Sequence, residues 1–440
     1  MQFDSIPERS PACDSPRSLP VANRKQSKAV KLIPMVNVFP QKCHFWMPRK
    51  KRFCGLPNLD GNTLCTEHHF PLNSTPRIPC PMDPNHSILE TRLAKHLLVC
   101  NSKPKPKYPH FKHEANIFSP HATYDHKFAR EELRNLASSE FLALIEKIRS
   151  LFREHVGDLC LEMLDHVSVD TTTRIKHRTQ QASLLGNLNR LSLLKPGNTY
   201  LELGAGKADL SLQIQMAVTN AYFILIDRRN FRYKCDRAIN TNMSNNDLGA
   251  GIERWTMDLR DVDLHGSELI GKRAIQGHGL VAVSKHLCGC ATDFSLRAIS
   301  NFLCTGGKVE GIAIALCCHH QCQFENYAGR EFWESLGLTD RDFALCIVLS
   351  TWALCGRREQ DTDDDDGDEE HGILDKEDTN ESHWSGMTFE EREILGAQCK
   401  RVIDIGRVKF IEKLGFEAGL VHYVGKDITP ENCLLWAKLK

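Results

Sequence analysis

The C-terminal two-thirds of the sequence predicts an α/β fold. It should hold an open, mostly parallel sheet with crossover helices, preceded by two small metal-stapled modules and a helical linker. Three observations carry this. After residue 170, short apolar runs alternate with longer helix-patterned stretches, as strands and their crossovers do. A glycine turn, Gly204-Ala205-Gly206, directly follows one of those runs and opens a helical stretch. Cys and His residues between positions 43 and 100 fall in two clusters, in a segment with too few large apolar side chains for a core of its own.

Composition sets the outer bounds. The chain of 440 residues is 41% hydrophobic and 25% charged, ordinary for a globular protein and long enough for two or three domains. No apolar run approaches the roughly 18 residues that span a bilayer, so no membrane association is expected. The N-terminus has no apolar h-region and does not read as a secretory signal, which leaves a cytoplasmic or nuclear location. In a reducing compartment its 18 cysteines point to metal binding or plain burial rather than to disulfides. The net charge of zero is a cancellation. Residues 1–125 hold 18 Lys+Arg against 9 Asp+Glu, whereas residues 361–381 hold 12 Asp+Glu against one lysine. The basic first third suits a polyanionic partner, and no obligate protein partner is evident.

Taken in order, residues 1–40 are rich in Pro, Ser and basic side chains without periodicity, which predicts a flexible arm. Residues 41–72 carry Cys43, Cys54, Cys65 and His69 as Cys-x10-Cys-x10-Cys-x3-His, with His68 competing for the fourth place. Residues 77–103 carry Cys80, His86, His96 and Cys100 as Cys-x5-His-x9-His-x3-Cys. Residues 87–99 read as a short helix, which puts His96 and Cys100 one turn apart on one face. Both sets suit closed tetrahedral zinc sites, structural rather than catalytic. Arg49, Lys50, Lys51 and Arg52 lie beside Phe45, Trp46 and Phe53, a mixture suited to phosphate contact and base stacking. Residues 101–125 read as a basic linker extended by its prolines.

Residues 126–165 turn helical. Leu133, Leu136, Ile145, Ile148, Phe152, Val156 and Leu159 recur at three- and four-residue steps, as in an amphipathic helix or helix pair packed on the next domain. The α/β domain occupies residues 170–440, with strand-like runs at 200–203, 222–226, 252–257, 280–283 and 311–316 and two closing runs at 420–424 and 433–439. Thr388 and Glu391 form a capping box for a helix that runs to about Leu414 and ends at Gly415. The acidic stretch 358–385 cannot bury itself and is expected as a disordered surface insertion.

Gly204 and Gly206 let the backbone turn sharply and approach a ligand. Where dinucleotide sites have a third glycine beside the pyrophosphate, this chain has Asp209. A carboxylate there disfavours phosphates and suits a cofactor with a cationic amino group and a sulfonium centre. Asp227, twenty-one residues after Gly206, ends the next strand and is placed to accept ribose hydroxyls, and Asp258 follows the strand after that. With Glu202 two residues before the first glycine, this set resembles the class I methyltransferase signature, which implies S-adenosyl-L-methionine as the cofactor.

Two later segments are chemically loaded. In residues 283–290, Lys285 is the candidate general base, with His286 as the second candidate. In residues 316–322, Cys317 or Cys318 could serve as a thiolate nucleophile. Cys317, Cys318, His319, His320 and Cys322 are all metal-ligand types, too crowded in sequence for one tetrahedral site. Cys288, Cys290 and Cys304 read as small buried residues.

The two clusters together resemble the Cys-Cys-Cys-His finger of the eukaryotic tRNA 2′-O-methyltransferase family acting on nucleotide 4 of the acceptor stem, followed by the Cys-His-His-Cys finger shared with a minor-spliceosome protein. Residues 284–289 and 315–320 are similar to that family's own methyltransferase motifs. The resemblance spans residues 41–440 apart from the acidic insertion. It implies a class I Rossmann-like methyltransferase sheet, ribose methylation of a few tRNAs, zinc in both fingers on the ligands named, and Glu202, Gly204 and Gly206 at the cofactor. It leaves the base open, since only Lys285 can be matched to the Lys-Asp-Lys-Glu tetrad of many ribose methyltransferases. Two other readings stand beside it. One is an RNA cytosine-carbon methyltransferase using Cys317 or Cys318. The other is a zinc-finger RNA-binding protein with an inactive methyltransferase domain, against which Glu202, Gly204, Gly206 and Asp227 argue.

Overall fold

The computed structural model describes residues 41–47, 52–65, 68, 77–100, 108–118, 123–166, 175–231, 234–242, 251–354 and 383–440. The expected flexible arm, the basic residues 49–51, His69, linker residues 101–107 and nearly all of the acidic insertion lie outside them. The chain forms two compact units, Met1–Lys105 and Pro106–Lys440.

In the first unit, β1 (Trp46–Met47) and β2 (Arg52–Phe53) pair antiparallel. A second hairpin joins β3 (Arg77–Cys80) to β4 (Asp83–Leu89), and α1 (Leu93–Val99) follows a single 3-10 turn. The helix expected from residue 87 therefore starts later. Ile88 is opposite Ile78 across the hairpin, and this β-branched pair holds residues 87–89 as strand. His96 and Cys100 keep their one-turn spacing.

The second unit begins with α2 (Ala129–Asn135) and α3 (Ser138–His155), followed by α4 (Ile175–Arg190). Then come β5 (Thr199–Leu203), α5 (Asp209–Ala217), β6 (Tyr222–Asp227), α6 (Asp236–Asn242) and β7 (Gly251–Thr256). Next are α7 (Glu268–Ile275), β8 (Leu280–Cys288), α8 (Cys290–Cys304) and β9 (Gly311–Cys317). The unit ends with α9 (Arg330–Ser335), α10 (Asp340–Ser350), α11 (Phe389–Lys413), β10 (Phe416–His422) and β11 (Cys433–Leu439).

The strands form one seven-stranded sheet in the order β10-β11-β9-β8-β5-β6-β7. β5 to β9 run parallel, and β11 is antiparallel to both of its neighbours. Strand order reverses between β5 and β8, so the crevice beyond their carboxyl ends is the topological switch point where such sheets take ligands. Alternating side chains divide between two cores. Leu201, Leu203, Ala282, Ile312 and Ile314 pack under α7, α8 and the end of α11. Tyr200, Val281, Val283, Ala313 and Ala315 pack under α4, α5 and α6 on the opposite face. A third core is helical. Leu133, Phe141, Ile145 and Ile148 from α2 and α3 pack on Phe343 and Leu345 of α10 and on Leu395 and Val402 of α11.

β8 extends well past the expected residue 283. Ser284 is opposite Ile314 of β9, but Leu287 is opposite Leu316, so β8 holds one extra residue as a bulge. The bulge reverses the alternation. Leu287 joins the same core as Leu280 and Ala282, and Cys288 comes level with Cys317. α11 starts on the expected capping box, in which the Glu391 carboxylate accepts the Thr388 N–H at 2.8 Å. It ends before Gly415, whose φ of +94° suits glycine. Among the described residues, no helix is long and apolar enough to cross a membrane.

Candidate functional site

The turn after β5 has left-handed backbone at Gly204 (φ +67°) and Gly206 (φ +49°). A Cβ on Gly204 would lie 3.1 Å from the His286 carbonyl oxygen, whereas one on Gly206 would meet nothing within 4 Å. The turn therefore packs tightly on the end of β8 and is open on its other side. It is pinned from three directions. The Gly206 N–H donates to Asp227 Oδ2 at 2.9 Å. Arg254, in a bidentate pair with Asp236, donates to the Gly206 carbonyl at 2.9 Å. The Cys235 N–H donates to the Lys207 carbonyl at 2.8 Å.

Asp227 also accepts the Arg229 N–H at 2.8 Å, and each of its oxygens retains a lone pair for a ligand hydroxyl. Glu202 is placed differently from the sequence expectation. Only 3% exposed, it accepts both the N–H (3.1 Å) and the hydroxyl of Ser211, tying β5 to α5 behind the turn rather than facing its open side. Burial pushes its carboxyl up to about 7. Asp258 caps the 3-10 turn after β7, accepting the Arg260 N–H at 3.0 Å and pairing with its guanidinium. Asp209 accepts the Cys235 thiol at 3.1 Å. The open glycine turn, the Asp227 carboxylate at the next strand end and the absence of a phosphate-binding third glycine fit a nucleoside cofactor with a cationic tail.

At the β8 bulge, Lys285 Nζ lies 3.1 Å from Nδ1 of His177 on α4. His286 is open to water yet walled by protein, as a group in a cleft is. The surrounding burial and then the neighbouring Lys285 charge push it down to about 4, so it is a neutral imidazole at pH 7. Lys400 and Glu431 form a further pair at 2.8 Å, and both act electrostatically on His320.

The cysteines expected to be buried are not. Cys288 and Cys304 are exposed and Cys290 is half-buried. Cys288 ends β8 just after the bulge, and its Sγ lies 3.6 Å from Cys317 Sγ. Hydrogen bonds from the Cys317 and Cys318 thiols hold Cys288 well below the usual thiol range, while those two thiols are pushed up. The crowded ligand run of the second loop separates. His319 is fully buried with Nε2 2.8 Å from Asp404, and Cys322 accepts from Arg407 at 3.1 Å. His319 and Cys322 thus serve a buried ion network in which Arg407 also binds Asp293 at 2.6 Å. Cys317 is buried, which argues against its reaching a substrate base as the nucleophile of cytosine-carbon chemistry.

In the first finger, Cys43, Cys54, Cys65 and His68 bring one ligand atom each within 4.8 Å of one another. His68 Nδ1 lies 3.4 Å from Cys43 Sγ and 3.3 Å from Cys65 Sγ. His68 thus fills the position for which the spacing named His69. The cause is local, since the His68 N–H donates to the Cys65 carbonyl at 3.0 Å and this single turn folds the ring back onto the cluster. Phe45 stacks on the His68 ring, and Trp46 meets Phe53 edge to face. In the second finger, His96 Nε2 lies 3.2 Å from Cys80 Sγ, which is 3.6 Å from Cys100 Sγ. His86 lies in β4, and its side chain is outside the described part. These separations suit one tetrahedral zinc, whose sulfur ligands at about 2.3 Å stand just under 4 Å apart.

Sequence reasoning missed His177, the bulge, and the Lys400–Glu431 pair. None carries a local signal, since each depends on residues brought together by the sheet.

This strand order, with a pinned glycine turn at its switch point, defines a class I methyltransferase domain, here following two Cys/His zinc fingers. The chain belongs to the TRM13 methyltransferase family. Residues 179–438 match the family described as "Methyltransferase TRM13". Residues 41–69 match "CCCH zinc finger in TRM13 protein", and residues 77–101 match "U11-48K-like CHHC zinc finger". A Mus musculus protein named "tRNA:m(4)X modification enzyme TRM13 homolog" is 30% identical over 90% of this chain and 94% of its own length. The Homo sapiens protein of the same name is 29% identical over the same shares. The Schizosaccharomyces pombe "tRNA:m(4)X modification enzyme TRM13" is 32% identical over 82% of this chain and 95% of its own.

Proposed function

We propose that this protein is a tRNA 2′-O-methyltransferase that methylates the ribose of nucleotide 4 in the acceptor stem, with S-adenosyl-L-methionine as donor. The observation that carries the reading is the contact between the Gly204 turn and the end of β8, which sets the donor crevice beside Lys285. The donor supplies an electrophilic methyl group on a sulfonium centre. Gly204 and Gly206 shape its crevice, Asp227 accepts its ribose hydroxyls, and Glu202 fixes the turn through Ser211. Asp258, just beyond β7, is the candidate to face the adenine.

Lys285, oriented by His177, first gives up its ammonium proton to solvent, and the neutral amine then takes the proton from the ribose hydroxyl as the oxygen attacks. His286, neutral at pH 7, lines the crevice without adding charge. An acceptor stem is an A-form duplex read through phosphates and 2′-hydroxyls, and the basic finger unit suits that surface. The two fingers, with zinc on Cys43, Cys54, Cys65 and His68 and on Cys80, His86, His96 and Cys100, provide a rigid platform for it. The relatives named tRNA:m(4)X modification enzymes support the same substrate class, tRNA.

The test uses a tRNA transcript with a single 2′-deoxy substitution at nucleotide 4. The unsubstituted transcript should accept one labelled methyl group and the substituted one none. Equal labelling of both would overturn the reading.

A further inference from the structure

We infer that Cys288, Cys317 and Cys318 form a third zinc site, open on one side, at the carboxyl ends of β8 and β9. The finger ligands described above are separate residues, and nothing in the proposed transfer uses these three thiols.

Two independent distortions bring the trio together. Without the β8 bulge, residue 287 would stand level with Cys317; the extra residue brings Cys288 there instead. Cys318 has φ +51°, a left-handed conformation that strains a non-glycine residue. In a continuing strand, Cys317 and Cys318 would point to opposite faces. The left-handed turn instead folds both thiols to one side, and all three Sγ atoms lie within 4.8 Å of one another. Strain retained at one residue so that three soft donors converge is what a ligand set requires.

The spacing points the same way. Cys288 Sγ and Cys317 Sγ are 3.6 Å apart, and the finger thiols of Cys80 and Cys100 are also 3.6 Å apart. Sulfurs bound tetrahedrally to zinc at about 2.3 Å fall near this separation, whereas a disulfide needs about 2.05 Å. Three thiolates favour a soft or borderline cation. The finger cysteines are buried, as in closed structural sites, but Cys288 is exposed and Cys318 half-buried. Three protein ligands with an open fourth position form the arrangement that accepts an exogenous oxygen ligand, such as water or a hydroxyl.

The experiment is cobalt substitution of the full-length chain, read by sulfur-to-cobalt charge-transfer absorption, together with zinc analysis of the purified protein. The expected result is absorption from eight thiolates per chain, the five of the fingers plus these three, and three zinc equivalents on saturation. Cys288→Ser should remove one metal and leave the finger signal intact. His96→Ala should lose only the two-thiolate absorption of the second finger and keep that of the first finger and of Cys288, Cys317 and Cys318, which guards against misfolding of the first variant. Saturation at two metals, an unchanged spectrum in Cys288→Ser, or a Cys288–Cys317 disulfide in the purified chain would overturn the proposal.

Discussion

Lys285 Nζ and His177 Nδ1 lie 3.1 Å apart, joining the bulged end of β8 to α4 across the edge of the donor crevice. The lysine is fixed by a bulge and the histidine by a helix, so the geometry rests on rigid elements. Lys285→Ala should lower kcat by roughly 10²–10⁴-fold with donor affinity unchanged. Donor affinity is read by calorimetry and turnover under saturating tRNA. Retained turnover would dismiss Lys285 as the base.

His177 is a positioning residue, since it acts through Lys285. His177→Ala should reduce kcat by about tenfold, leave KM for tRNA unchanged and move the pH–rate profile. His177→Gln, which keeps an acceptor, should recover part of the loss. An unchanged pH profile with an equal drop in stability would make the contact merely structural.

Glu202 gives a pH-dependent prediction. Its carboxyl stays protonated in the fold up to about pH 7, but it ionises near 4.5 in the unfolded chain. The stability it supplies is therefore intact below pH 4.5 and is lost as pH rises toward 7, a change of about 3 kcal/mol. Glu202→Gln keeps an acceptor for Ser211 without this dependence. Denaturant midpoints without donor should match wild type near pH 4 and favour the variant above pH 7; a constant difference would contradict the burial argument.

The zinc ligands separate by single substitutions. His68→Ala should release one zinc, whereas His69→Ala should release none. Cys80→Ser should release the other finger's zinc and weaken tRNA binding, with donor affinity intact. Zinc analysis and filter binding report each outcome.

The Asp404 network is a stability element. Burial alone would push Asp404 up, but His319, Arg401 and Arg407 overcome it and keep the carboxylate ionised. Burial holds His319 itself neutral, and its Nδ1 has no partner among the described residues, consistent with Nε2–H donating to Asp404. Asp404→Asn should cost about 3–5 kcal/mol, because it strands buried arginines. A drop below 1 kcal/mol in urea unfolding would show that the network is dispensable.

Much of the fold was legible in the sequence because its signals are local. Apolar runs marked the strands, Thr388 and Glu391 marked the start of α11, and Gly204 and Gly206 marked the donor turn. Failures came where tertiary structure decides. Spacing could not choose between His68 and His69, which depends on one turn after Cys65. Cys288 read as a small buried residue because a bulge has no sequence signature, yet that bulge places Cys288 and Lys285 at the site. Glu202 read as a cofactor-side residue of the glycine turn, but its orientation depends on Ser211, nine residues on, to which its carboxylate turns. His177 precedes the glycine turn and carries no motif.

The site of methylation can be read from total tRNA incubated with the full-length chain and methyl-labelled donor, then hydrolysed in alkali. Ribose methylation blocks cleavage on the 3′ side of the modified nucleotide. Label is expected in a single alkali-resistant dinucleotide beginning at nucleotide 4, absent with Lys285→Ala. Label recovered wholly in mononucleotides would mean that a base is methylated, and would contradict ribose methylation.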